Sequence, residues 1–234
     1  MTSSSGNDTT RGQLLAAAEK LFLQHGLDEV STRAIVREAG QKNQSALQYH
    51  FGGRDGVISA ILVRRMQQVE ARRKALLDEA LESSGKPSLR TLCAVLVRGP
   101  FLLCREQKDF REFLGQLGTK LLASDREMTF ALDFGKLPSL QALRVLIRQH
   151  LAALPPELLA LRAENTNHFV LQAISRRARV GGSFRGRRAE LFFNNLVDQV
   201  AAMMGRANLA TSSRCFSAAR PRATIRAPAS PCSS

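Results

Sequence analysis

The sequence predicts an all-α protein, a three-helix head carrying a helix-turn-helix followed by a larger helical bundle. Three observations carry that prediction. Between Thr9 and Arg206 apolar residues recur at three- and four-residue steps. β-branched alternation is missing, and the chain has one Tyr and no Trp. The stretch Ser31–Phe51, STRAIVREAGQKNQSALQYHF, reads as two short helices broken at Gly40, the second with a polar outer side. Two helices at that spacing, braced by an amphipathic helix before them, form a device that sets one helix in the DNA major groove.

The elements follow in order. The first helix, about Thr10 to His25, carries Leu14, Leu15, Ala18, Leu21 and Phe22 on one side and stops at Gly26, a left-handed C-cap. Val30 plugs the seam before the second helix, and Ser31 or Thr32 caps it by accepting a backbone N–H bond. The third helix starts at an Asn43 N-cap, with Leu47 turned back toward Ile35, Ala39 and the first helix. A long helix, about Arg54 to Ser83, shows an apolar stripe of Ile58, Ile61, Leu62, Met66, Val69, Leu76, Leu77 and Ala80. The next runs from about Ser88 to Arg105, and Gly99-Pro100 is expected to kink or break it. Further helices are expected near Phe110–Leu122, Lys136–Leu151, Glu157–Arg179 and Arg188–Met204. The expected domains are a disordered N-terminus (1–8), a helix-turn-helix domain (9–55), a helical regulatory and dimerisation domain (56–205) and a disordered tail (206–234) rich in Arg, Ala, Ser and Pro.

Bulk numbers narrow the functional classes. With 234 residues and 44% apolar content, the chain can bury a real core. Its polar start lacks the order of a signal peptide, and no run approaches the length of a membrane span. Cys93, Cys104, Cys215 and Cys232 form no CxxC pair and have no His at ligand spacing, so a cytoplasmic protein with reduced thiols is expected. No metal site and no cofactor are expected, nor an enzyme: there are no paired Glu-x-x-His motifs and no phosphate-cradling glycine loop, and His25, His50, His150 and His168 are scattered.

The net charge of +14 is not evidence for the head. Residues 1–55 hold six Lys/Arg and six Asp/Glu, whereas 172–226 hold eleven Arg against Glu190 and Asp198. That far end can supply only salt-sensitive, sequence-independent attraction to polyanions.

Asn43, Gln44, Ser45 and Gln48 lie outward and early in the third helix and are the candidate base readers, a Gln pairing bidentately with adenine N6/N7. No Arg or Lys in that helix can grip guanine, so the expected preference leans toward A·T. Ser31, Thr32, Arg33, Lys42, Tyr49, His50 and Arg54 form the candidate phosphate-contacting rim. Gly52-Gly53 lets the chain turn and exposes the first N–H groups of the long helix.

At these residues the sequence resembles the TetR-type transcriptional regulators. The resemblance rests on Leu14, Ala18, Leu21, Phe22 and Gly26, then Ser31-Thr32, Ile35, Ala39-Gly40, Leu47, His50-Phe51, Arg54 and Val57, and covers the first quarter of the chain. There are two departures. The family commonly ends this helix Leu-Tyr-x-His-Phe, where this chain has Leu47-Gln48-Tyr49-His50-Phe51, and Gln41-Lys42 lengthen the turn by one residue.

The resemblance implies a homodimer built on the last two helices, a palindromic double-stranded DNA operator, and a ligand pocket in the middle helices. The final helix supports the first of these independently, being apolar over more than one stripe. Candidate interface residues are Phe169, Leu191, Phe192, Leu196, Val197, Val200 and Met203; candidate pocket residues are Cys93, Val97, Phe101, Cys104, Phe113 and Phe134. So apolar a list implies a lipophilic small-molecule effector, though the same residues also serve as ordinary core. The expected function is a sequence-specific repressor released by that effector. Two alternatives stand beside it: non-specific DNA binding through the Arg-rich end, and a DNA-binding regulator with no small-molecule ligand.

Overall fold

A computed structural model describes residues 3–26, 29–123 and 137–205. Among these the helices are α1 (Ser3–His25), α2 (Thr32–Glu38), α3 (Ser45–Phe51), α4 (Arg54–Ser84), α5 (Leu89–Glu106), α6 (Lys108–Ala123), α7 (Pro138–His150), α8 (Pro156–Arg179) and α9 (Arg187–Gly205). The all-α class holds, with the three-helix head first and the bundle after it.

Helix α1 begins at Ser3, earlier than the expected Thr10. The tail after Gly205 and Phe134 lie outside the described residues. Leu14, Ala18 and Phe22 of α1 are fully buried and, with Val30, Ile35 and Leu47, form the head's part of a core continuous with that of the bundle. Gly26 ends α1 at φ +84°, its N–H donating to the Phe22 carbonyl.

Helix α4, about 46 Å long at 1.5 Å per residue, leaves the head and becomes the backbone of the bundle. Helix α5 runs through Gly99-Pro100 without a break, against the expectation. Both residues are buried. A Cβ at position 99 would stand 3.7 Å from the Val69 carbonyl of α4, an ordinary van der Waals contact, so α5 packs on α4 there without requiring glycine. Helix α6 packs along α8, whose Arg179 N would lie 3.1 Å from a Cβ at Gly115.

Helix α9 packs against both α5 and α8. This corrects the reading of its broad apolar surface. Leu196, Val197 and Val200 are at most 1% exposed within the single chain, so their stripe is core and is not available to a partner. No described helix is long and apolar enough to cross a membrane.

Candidate nucleic-acid interface

The turn of the helix-turn-helix is built from backbone bonds. Ser31 caps α2, its Oγ accepting from Ala34 N at 3.2 Å. At the other end Gly40 takes φ +67°, its N–H donates to the Arg37 carbonyl, and Gln41 N donates to the Val36 carbonyl. That double bond is a Schellman closure, which satisfies two carbonyls the helix end would leave open. Two side-chain bridges then fix the turn on α1: Gln41 Nε2 donates to Gln13 Oε1 at 2.8 Å, and Lys20 Nζ meets Glu38 Oε1 at 2.5 Å. Lys20 holds the Glu38 carboxyl below its ordinary range by hydrogen bond and by charge.

Asn43 initiates α3 as expected of a cap. Its Oδ1 accepts from Ser45 N at 2.9 Å, while Gln44 is already in helical conformation. One lone pair of that oxygen is engaged with the backbone, while its second lone pair and the side-chain NH2 stay open to a base edge. Leu47, 2% exposed, is the buried hub of the short helix. Gln44, Ser45 and Gln48 are exposed on the other side, as the helical spacing requires.

The rim is less uniform. Ser31, Thr32, Arg33 and Lys42 are exposed, and Tyr49 is 77% exposed with its ring edge-on to His50. His50 is half-buried. Arg54 is half-buried as well: its Nε donates to the Val30 carbonyl at 3.3 Å and its guanidinium lies over the Phe22 ring. It therefore braces the head besides standing at the start of α4. Arg11 does the same for Phe51, 5.0 Å above the ring.

Gly52 closes α3 in the left-handed region at φ +69°, and Gly53, at φ +122°, precedes α4 with no side-chain cap. Gly56 is a necessity that the sequence pattern did not single out. A Cβ there would lie 1.6 Å from the Phe51 carbonyl oxygen, so any side chain would displace the α3–α4 junction.

Charged residues inside the apolar stripe of α4 also escaped the sequence reading. Arg65, 3% exposed, donates from Nε to Glu19 Oε1 of α1 at 2.5 Å, from Nη2 to Asp109 Oδ2 of α6 at 2.9 Å and from Nη1 to Gln68. Arg64 adds a second contact to Glu19, and the rings of Phe110 and Phe113 flank the Arg65 guanidinium. Burial works to raise the Asp109 carboxyl, but hydrogen bonding and charge from Arg65 outweigh it and hold the group below its ordinary value. One buried side chain of α4 thus ties the head to the bundle. Arg73, two turns further on, is buried against Glu70. The only sequence signal for either is an arginine at a stripe position, between Leu62 and Val69 or between Val69 and Leu77.

The remaining candidates divide. Leu191 is 70% exposed and Met203 37%, joined by Leu161 and Val180, while Phe169 and Phe192 are half-buried. Phe192 packs on Phe101 together with Phe184 and Phe193. Cys93, Val97, Phe101, Cys104 and Phe113 are all buried in the common core. Burial pushes the Cys93 thiol up to about 11 and the Cys104 thiol to about 12, which leaves both protonated and unreactive at neutral pH. Among the described residues no group of three or more His, Cys, Asp or Glu is placed to hold a metal ion.

A family model for bacterial regulatory proteins of the tetR family matches residues 14–61, which cover the second half of α1, then α2, α3 and the start of α4. Among solved structures, a protein from Shewanella sp. PV-4 assigned to the tetR family of transcription regulators is 19% identical, with a TM-score of 0.59 over 82% of this chain and 95% of that one. The fatty acid degradation regulator FadR of Bacillus halodurans is 13% identical, with a TM-score of 0.51 over 84% and 95%. At those identities the likeness is one of fold. No match is found among curated proteins.

Proposed function

The chain belongs to the tetR family of bacterial regulatory proteins, and we propose from that premise that it is a dimeric, sequence-specific repressor released from DNA by a small molecule. The observation that carries this reading is the face of α3, where Gln44, Ser45 and Gln48 stand exposed around a helix pinned from behind by Leu47. Amides and a hydroxyl on a rigid short helix are groups that read base edges, while Ser31, Thr32, Arg33, Lys42 and Tyr49 supply phosphate contacts that set register. With no Arg or Lys in α3, the reading favours A·T pairs at the two amide positions.

Release follows from a population shift, in which the effector favours a conformer whose two heads no longer match successive grooves. The shift can be no larger than the effector's difference in affinity for the two conformers. Arg65 is the physical link this mechanism uses, because it bonds α1 and α6 at once. The dimer surface combines Leu161, Leu191 and Met203 with the half-buried Phe169 on α8 and α9.

The test is the stoichiometry of the complex on a bound duplex, measured by sedimentation for the full chain and for a chain lacking residues 206–234. Two chains per site and an affinity changed less than about threefold support the regulator. Loss of binding on truncation would transfer the activity to the Arg-rich tail and overturn it.

A further inference from the structure

Two arginines interrupt the apolar stripe of α4, and their surroundings differ in charge. Around Arg65 the account is balanced: Arg64 and Arg65 face Glu19 and Asp109. Around Arg73 it is not. Its Nη1 donates to Glu70 Oε2 at 2.8 Å, but the same carboxylate also accepts from Ser139 N at the start of α7, and Ser139 Oγ reaches the Glu70 carbonyl. Arg144, five residues further along α7, acts by its charge against that of Arg73. The site thus holds two guanidiniums and one carboxylate.

Arg73 is 7% exposed, and its Nε, wholly buried, donates to nothing. An unpaired N–H on a buried cation is costly, and native interiors rarely leave one without a partner. Burial is also the main influence depressing the Arg73 pKa, with Glu70 opposing it. The neighbouring helix positions are apolar: Val69 and Leu77 lie about one turn either side of Arg73 on α4, and Leu140 and Leu143 follow Ser139 on α7, all four buried.

The geometry points to Arg73, assisted by Arg144, as the seat of an anionic group on the effector, a small molecule with an apolar body and one carboxylate. This rests on the effector-released reading and narrows it, replacing a purely lipophilic ligand with an amphipathic acid. The carboxylate accepts from Arg73 Nε and completes the pairing that Glu70 leaves half-made, a charge-assisted bond in an apolar setting. Binding between α4 and α7 acts on the same lever helix that carries Arg65.

The test uses the full chain and thermal melting, with straight-chain carboxylates of six to ten carbons set against the matching alcohols and amines and against inorganic phosphate. Carboxylates are expected to raise Tm by several degrees and the neutral and cationic chains to leave it unchanged. Arg73→Met is expected to abolish the shift, and Arg148→Met, an exposed position on the same α7, to retain it. Should Arg73→Met fail to fold, Glu70→Gln decides: removing the competing carboxylate is expected to tighten carboxylate binding severalfold. Equal shifts from alcohols, a shift from phosphate alone, or no gain in Glu70→Gln overturns the proposal. A carboxylate shift that leaves DNA affinity unchanged upholds the site and overturns effector release instead.

Discussion

At the scale of single residues, each exposed side chain of α3 has a separable consequence. Gln44→Ala is expected to weaken binding by about 1–3 kcal/mol and to relax preference at one base position, read by competition among duplexes that differ at that position. Arg54→Ala carries two effects, because Arg54 both stands at the start of α4 and bonds the Val30 carbonyl. It is expected to weaken all sequences alike, lower the salt slope by about one unit, and also lower Tm. A lowered slope with unchanged Tm would show that the bond to Val30 contributes nothing to the head. Cys93 and Cys104, protonated and buried, are expected to react with a thiol reagent at pH 7.5 only when the protein unfolds, once Cys215 and Cys232 are replaced by Ser. Rapid labelling of the native chain would contradict their burial.

At the scale of elements, the link between head and bundle is the Arg65 cluster, and its strength is open to measurement. Glu19→Ala removes a buried carboxylate from two arginines and is expected to destabilise the chain by about 3–5 kcal/mol in a denaturant titration. Asp109 gives the pH sign. Its folded pKa is depressed, so its contribution is full above the unfolded value of about 3.9 and is lost as pH falls through the lower folded value. Asp109→Asn is therefore expected to lower stability modestly at neutral pH and to leave it unchanged at the acid end, so that the acid limb flattens, the effect being small because Asp109 is largely exposed. The helices themselves were legible because three- and four-residue apolar spacing is a local property, and so were Gly26 and the Ser31 cap. What was not legible depends on neighbours remote in sequence. Pro100 sits within an unbroken helix, buried among core residues that only the tertiary packing brings around it. Arg65 and Arg73 look like errors in a stripe until Glu19, Asp109 and Glu70 are placed beside them. Leu196, Val197 and Val200 resembled an interface because a sequence shows how much of a helix is apolar but not which neighbours cover it.

At the scale of the whole molecule, the head is the part most fully written in the sequence, because its turn, hub and reading face lie within fifty consecutive residues. The bundle is legible as helices but not as a binding site, since its core residues and its candidate ligand residues share one chemistry. The tail after Gly205 holds only part of the Arg excess, for Arg176, Arg177, Arg179, Arg185, Arg187 and Arg188 precede it. Sequence-specific affinity is therefore assigned to α3, and the basic end to salt-dependent attraction at most. The most direct test is selection of bound sequences from random duplex DNA by the full-length protein at moderate salt. The expected result is a palindromic consensus of two short half-sites, centred about one helical turn or more apart, with A·T pairs at the amide contacts. Recovery of random sequence alongside real, salt-labile binding would contradict the assignment of α3 as a reading helix.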